Sequence, residues 1–309
     1  MKQTRALIEG AILVSLFTVL MFITQYAPLI GMVTLFLLPL PVIIQTIRHG
    51  IRSGLLMGLA SLPITFMISS LSGLGIAIPT VSVGVVMGYH YRQKEPGRAI
   101  ASGAVMYMIS LVLMFIISIQ FFRLNLIDMA NQTSHDLLKT WESMSQQFGN
   151  KQETEKLMTQ LREQMKMTQY LYPITVILSS AIIAFINHLM ARPLLQRFTP
   201  QVPALKPFRE LKLPQSVFWL YLLTILVSLA PAEQGSVFNS IVLNASILMG
   251  LIVAMQGFSF IFYYCHVKKI SKVVPVLFFI IGLLSPLLYL VRILGIIDIG
   301  FNLRERLKK

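Results

Sequence analysis

Apolar runs long enough to cross a bilayer, or nearly so, recur about nine times along this chain, and nothing else in it limits the possible folds so severely. A hydrocarbon core about 30 Å thick takes roughly 20 residues of helix at 1.5 Å rise per residue. The core offers the backbone no water, so each run must be a helix that satisfies its own N–H and C=O groups. The runs lie near residues 7–26, 30–47, 53–71, 75–91, 99–122, 171–191, 216–231, 238–265 and 273–297. The expected fold class is therefore all-α: a polytopic transmembrane helical bundle of eight to nine spans. The first run follows Lys2 and Arg5 as a signal peptide would, but Leu7 to Ile23 is long and lacks a small-x-small cleavage site. It reads as a retained first helix.

Charge orients the spans. Only 12% of the residues are charged, against roughly 25% in a soluble domain. The net charge of +14 reads as cytoplasmic flanks of membrane helices, so the bilayer is the expected partner and nucleic acid is not. Arg48 and Arg52 flank the second connection, and Arg92, Lys94 and Arg98 against Glu95 flank the fourth. The 192–215 loop carries Arg192, Arg197, Lys206, Arg209 and Lys212 against Glu210, and Lys268, Lys269 and Lys272 follow span eight. The one large hydrophilic insert, 123–170, holds six basic and six acidic residues and is neutral. The expected localisation is a cell membrane, with the N-terminus cytoplasmic and the insert outside. The last span breaks this alternation. Pro286 and Gly295 interrupt it, and it reads either as a ninth crossing or as a broken hairpin returning to the cytoplasm.

The insert has a pattern of its own. Leu137, Leu138, Trp141, Met144 and Phe148 recur at helical spacing, and Leu157, Leu161, Met165, Thr168 and Tyr172 form a second stripe. Gly149, then Asn150 with Glu153 three residues on, gives a helix end followed by a capping box. The prediction is an extracytoplasmic helical hairpin that acts as packed arms, a lid or a docking surface. Three domains follow: a six-helix membrane domain at 1–195 including this hairpin, a basic proline-rich cytoplasmic linker at 196–215, and C-terminal membrane helices at 216–309.

Small residues mark packing faces, because in lipid they let helix backbones approach closely. Gly50, Gly54 and Gly58 sit on span three, Gly84 and Gly88 on span four, and Ser246, Gly250 and Ala254 on span eight. The third connection is placed at Ser72-Gly73-Leu74-Gly75. Ala6, Gly10, Ala11 and Ser15 form a small patch on the first helix, facing either the fold's interior or a partner helix.

Enzyme chemistry finds no purchase. The sequence has no G-x-x-x-x-G-K-[ST] phosphate loop, no H-E-x-x-H and no G-x-S-x-G elbow. Cys265 is the only cysteine, so no disulfide forms within the chain and no thiolate cluster is possible. The five histidines do not cluster, and four of them read as interfacial anchors near cytoplasmic helix ends. No catalytic residue, metal or cofactor is expected. Polar groups in lipid are costly, and those present are few. Glu9 lies near the inner surface. Asn187, Asn239, Asn244 and Gln256 suit interhelical hydrogen bonds. Arg292 and Asp298, six apart, need a break or another helix to satisfy them.

The opening Arg5-Ala6-Leu7-Ile8-Glu9-Gly10-Ala11 and the ending Leu294-Gly295-Ile296-Ile297-Asp298-Ile299-Gly300-Phe301-x-x-Arg304 resemble the YybS family of uncharacterised bacterial membrane proteins over essentially the whole chain. Residues 1–195 more distantly resemble the S components of energy-coupling-factor vitamin transporters, in six spans, a small-residue first helix and a long outer loop before span six. That resemblance implies a small-molecule solute taken up from outside, under loops at 25–30, 71–79 and 123–170. It also implies a transmembrane coupling subunit meeting Ala6/Gly10 and Ala11/Ser15, where Gly and Ser replace the alanines of the superfamily. By position at outer helix ends, the candidate substrate-binding residues are Gln25, Tyr26, Ser72, Thr80, Gln120, Arg123, Tyr170, Tyr172 and Thr175. The alternative is a non-transport scaffold or regulatory partner, docking through the hairpin and the 192–215 loop.

Overall fold

The computed structural model describes residues 2–123, 170–198, 204–230 and 236–307, with scattered positions between 128 and 160. Every regular element among them is helical: α1 (Lys2–Tyr26), α2 (Pro28–Leu37), α3 (Pro39–His49), α4 (Ile51–Arg92), α5 (Pro96–Phe122), α6 (Tyr172–Phe198), α7 (Gln215–Ser228), α8 (Val237–Val267), α9 (Val273–Gly282), α10 (Ser285–Phe301) and α11 (Leu303–Arg306), with a 3₁₀ turn at Phe208–Glu210. Six helices have the length and hydropathy of a membrane span, or seven if the bent pair α9–α10 counts as one. In that tally α2 and α3 form one 22-residue helix, and the 42-residue α4 is a single helix. The expected eight to nine spans exceed it. The described positions of the 123–170 insert after Arg123 are helical, and the predicted turn at Gly149-Asn150 lies outside the described residues.

Contacts divide the chain into two compact units, Met1–Glu163 with Thr175–Leu205 and Gln164–Ile174 with Lys206–Lys309. In the first, the centre is α3. Its residues from Pro39 to Ile47 are all buried, and α4 folds around it. At 1.5 Å per residue α4 would run about 63 Å straight, twice a hydrocarbon core. It does not run straight. Ser70 adopts φ 51°, ψ −144°, and the chain doubles back there. Gly58 on the outgoing arm meets Val81 on the returning arm, and Gly73 meets Thr65 and Ser69.

The predicted turn at Ser72–Gly75 is therefore two to five residues late. Glycine is the usual residue for a positive φ, but Gly73 is spent on close packing. Gly75 faces open space, and Ser70 takes the strained geometry instead.

The glycines explain how three segments fit so tightly. A side chain at Gly54 would strike Thr46 Oγ1. One at Gly84 would lie 2.7 Å from Val42 Cβ, and one at Gly88 2.6 Å from Thr46 Cβ. Gly50 has a different job from the one expected. It is the junction between α3 and α4 at φ 90°, a conformation suited to glycine. Around this nucleus Leu13, Phe17 and Met21 of α1, Tyr107 of α5, and Ala184 and Leu195 of α6 complete one apolar core.

The second unit has a much smaller apolar cluster, Ala254, Phe258 and Val291. Its main crossing is α8 against α10, where Gly257 abuts the Val291 carbonyl and Gly295 abuts that of Val253. Gly295 was expected to break the last span, but it sits inside continuous helix as a contact point. The break falls at Leu283 and Leu284, where α9 and α10 bend by 115°. Pro286 sits in the first turn of α10, where its missing N–H would have had no partner.

Candidate functional site

Intramembrane polar groups are where function is sought first, and most of those described here are already satisfied. In the first unit the Tyr91 hydroxyl lies 2.6 Å from His188 Nδ1 with the rings stacked, and Asn187 Nδ2 donates to Tyr107 Oη at 2.7 Å. His188 is 1% exposed, so it is no interfacial anchor. The lengthened α6 carries it inside, facing Tyr91. In the second unit Asn244 Oδ1 accepts from the Ile174 N–H, and its Nδ2 donates to the Tyr170 carbonyl. The amides thus bond across elements, as their chemistry suggests.

Arg292 and Asp298 do not pair with each other, and Asp298 finds its partners on other helices. Arg304 Nε reaches Asp298 Oδ2 at 2.9 Å, and the same carboxylate accepts from Gln256 Nε2. The αL conformation of Asn302 ends α10 and lets α11 turn back, bringing Arg304 within reach. Arg304 also donates to Ser259 Oγ and to the Arg209 carbonyl. Ser259 Oγ in turn donates to the Phe208 and Leu211 carbonyls, and Gln256 Oε1 accepts from the Leu213 N–H. The 208–213 stretch of the basic loop is thereby pinned. Arg292 lies over the Tyr289 ring instead, 5.3 Å from its centroid.

Seven of the nine candidate substrate-binding residues are exposed. Gln25, Ser72, Gln120, Arg123, Tyr170 and Thr175 are exposed, and Tyr172 is half-buried. The exposed Tyr26 donates its hydroxyl to the Ile68 carbonyl, and Ser72 Oγ donates to the Ser69 carbonyl. Thr80 is not at a helix end. It is buried about 15 Å beyond the Ser70 turn, with its hydroxyl bonded to the Ile76 carbonyl. None of the nine lines a described cavity.

The partner patch on α1 splits. Gly10 is buried against Gln45, whose Nε2 donates to the Ala6 carbonyl at 3.0 Å, while Ala11 and Ser15 face outward.

That split opens onto the largest described cavity, a groove of about 820 Å³ between α1, the end of α3 and the first arm of α4. One end is polar: Gln45, Arg48, His49, Arg52 and Ser53. The other is apolar, walled by Leu7 and Val14 on α1 and by Leu56, Met57 and Ala60 on α4. Beside the polar end Glu9 pairs with Arg5 at 3.0 Å, Arg48 at 3.2 Å and His49 at 2.9 Å. Three arginines (Arg5, Arg48 and Arg52) and one carboxylate give the cluster a net charge of two positive (3 − 1). Arg52 is exposed and makes no hydrogen bond or ion pair among the described residues. Gln45 is 1% exposed, and its Oε1 has no hydrogen-bond partner among them.

Sequence reasoning misses Gln45 and Ser53. Their signal was weak: one amide in an otherwise apolar run, and one serine beside an arginine. Among the described residues no group of three His, Cys, Asp or Glu is placed to hold a metal ion.

A family described as "Predicted membrane protein (DUF2232)" matches residues 15–299. A protein of Bacillus subtilis strain 168, described as "Uncharacterized protein YybS", is 45% identical over 309 residues, all of both chains. No solved structure matches.

Proposed function

The chain belongs to the DUF2232 family of predicted membrane proteins, and from that premise we propose that it is a non-catalytic, multi-pass ligand-binding subunit, similar in role to an S component, that depends on separate subunits for energy. One observation carries the reading: the groove of about 820 Å³ in the first unit, amphiphilic along its length, with a buried amide oxygen, Gln45 Oε1, that has no hydrogen-bond partner among the described residues at its polar end. Pockets that hold small molecules combine apolar walls with a few oriented polar groups, and this groove does so. Most intramembrane amides described elsewhere are held in bonds between elements, which supports binding over catalysis. Counting α4 as two arms and adding α7 raises the six spans to eight, and a crossing by the α9–α10 pair would make nine, which supports the expected eight to nine. The net positive charge at the groove's polar end supports a cytoplasmic position for that end.

The test is extraction from native membranes, followed by mass spectrometry of whatever the protein retains. Wild type should hold a small molecule that Ala60→Trp, which fills the groove from an exposed position, releases. Retention of the same molecule by both would remove the groove from the reading, and retention of nothing by wild type would overturn it. The outward placement of Ala11 and Ser15 favours a second reading, a scaffold that seats a partner helix there. Partner proteins lost on Ala11→Leu with Ser15→Leu, with no retained ligand, would select it.

A further inference from the structure

We propose that the groove of the first unit binds an anionic glycerophospholipid, its phosphodiester at Arg48, Arg52 and Ser53 and one acyl chain along Leu7, Val14 and Ala60. The inference rests on reading the groove as the ligand site, and it names the ligand's chemistry.

Three observations converge. The first is charge. Arg5 and Arg48 share the Glu9 carboxylate with His49, while Arg52 stands at the groove with no partner among the described residues. A guanidinium pair presenting several N–H donors suits a phosphate. A zwitterionic headgroup would need a carboxylate for its ammonium, and the cluster's one carboxylate is already taken by three cationic or protonatable groups.

The second is the pattern of donors and acceptors. Ser53 Oγ accepts from Gln45 Nε2 at 2.6 Å, which leaves the Ser53 O–H as a donor on the groove wall. Gln45 Oε1 is a buried acceptor without a partner. Phosphate oxygens satisfy the arginines and the serine, and a headgroup hydroxyl satisfies the amide oxygen. An anionic headgroup carrying a hydroxyl, such as phosphoglycerol, supplies both.

The third is length. Ala6 to Val14 on α1 and Arg52 to Ala60 on α4 each advance about 12 Å along their helices. The apolar walls continue from the charged end in the direction an acyl chain takes into a bilayer, and Leu7 and Leu56 remain 72% and 65% exposed beside them. Free phosphate would use the charged end and leave that wall idle.

The experiment uses the full chain in detergent micelles containing equal phosphatidylglycerol and phosphatidylcholine, with retained lipid counted by native mass spectrometry. Wild type should retain phosphatidylglycerol preferentially. Arg52→Ala, at an exposed position, should cut that retention about fivefold, the scale of one arginine's attraction to an anionic lipid surface. Ala60→Trp should cut it similarly by blocking the chain, with the arginines untouched. Inorganic phosphate as competitor separates the sources. If phosphate displaces nothing and both variants lose lipid, the lipid assignment stands. If phosphate competes and Ala60→Trp has no effect, the site takes free phosphate and the proposal fails. Equal retention of the two lipids by wild type, or an unchanged preference in Arg52→Ala, also overturns it. Should the lipid preference be absent while Ala60→Trp still releases another molecule from native extracts, this inference falls and the ligand-binding reading survives.

Discussion

The two units solve the same problem by different means. In lipid no hydrophobic drive pulls helix onto helix, so association comes from close packing and interhelical hydrogen bonds. The first unit relies mainly on packing. Val42 and Thr46 of α3 sit in notches made by Gly54, Gly84 and Gly88, and a continuous apolar core surrounds them. The second unit has three buried apolar residues at its centre and relies on a polar network, Asp298 with Arg304, Gln256 and Ser259, which also grips the loop at 208–213. Shape complementarity tolerates small errors spread over many contacts. A buried ion pair does not, because losing one member strands the other.

The largest expected effect tests that contrast. Arg304→Ala should destabilise the second unit by about 3–5 kcal/mol, since Asp298, 3% exposed, loses its counter-charge. Trp219 of α7 reports on this unit, and its fluorescence during denaturant unfolding in a Trp141→Phe background measures the loss. The paired change Arg304→Met with Asp298→Leu should recover much of it. A single variant as stable as wild type would break the comparison.

The next effect asks how rigid each seam is. Gly257→Ala should cost on the order of 3 kcal/mol, because the added carbon meets the Val291 backbone carbonyl. Gly58→Ala should cost about 1 kcal/mol, because it meets the Val81 side chain. Thermal unfolding of the two variants side by side gives the ranking, and the reverse order would say that the first unit is the less forgiving.

Smaller still, Tyr107→Phe should cost about 1 kcal/mol by leaving Asn187 Nδ2 without its acceptor. A loss as large as that of Arg304→Ala would mean that the first unit also hangs on polar bonds. Ser70→Gly should stabilise by up to about 1 kcal/mol, as glycine adopts a positive φ without strain. At the bottom, Arg5→Ala should move stability by less than about 0.5 kcal/mol, because its pair with Glu9 is an exposed i,i+4 contact.

Element existence was legible in the sequence, because apolar length and flanking charge are local properties. Each predicted run has a described helical counterpart, with edges a few residues away. The places that failed depend on what lies opposite. Glycine content suggested the third turn at 72–75, but whether Gly73 turns or packs is decided by Thr65 and Ser69 on the other arm. Gly295 looked like a breaker for the same reason. His188 looked interfacial because its neighbours in sequence are near a helix end, yet Tyr91, 97 residues earlier, meets it inside. The candidate site was the least legible part. Position at an outer helix end is weak information, and the groove is assembled from Gln45, Ser53 and Ala60, residues with no signature of their own.

The doubling back of α4 at Ser70 bears on how the protein enters its membrane. Between Arg52 and Arg92 the chain carries no Lys, Arg, Asp or Glu. Bringing one such charge to the bilayer centre costs about 2.5–3.5 kcal/mol on insertion scales, and here neither arm nor turn carries one. Both arms are therefore free of the charges that oppose entry of a hairpin led by Ser70, with the two arginines at its base. A lysine engineered next to Ser70 should therefore lower the yield of inserted protein, which membrane fractionation would measure.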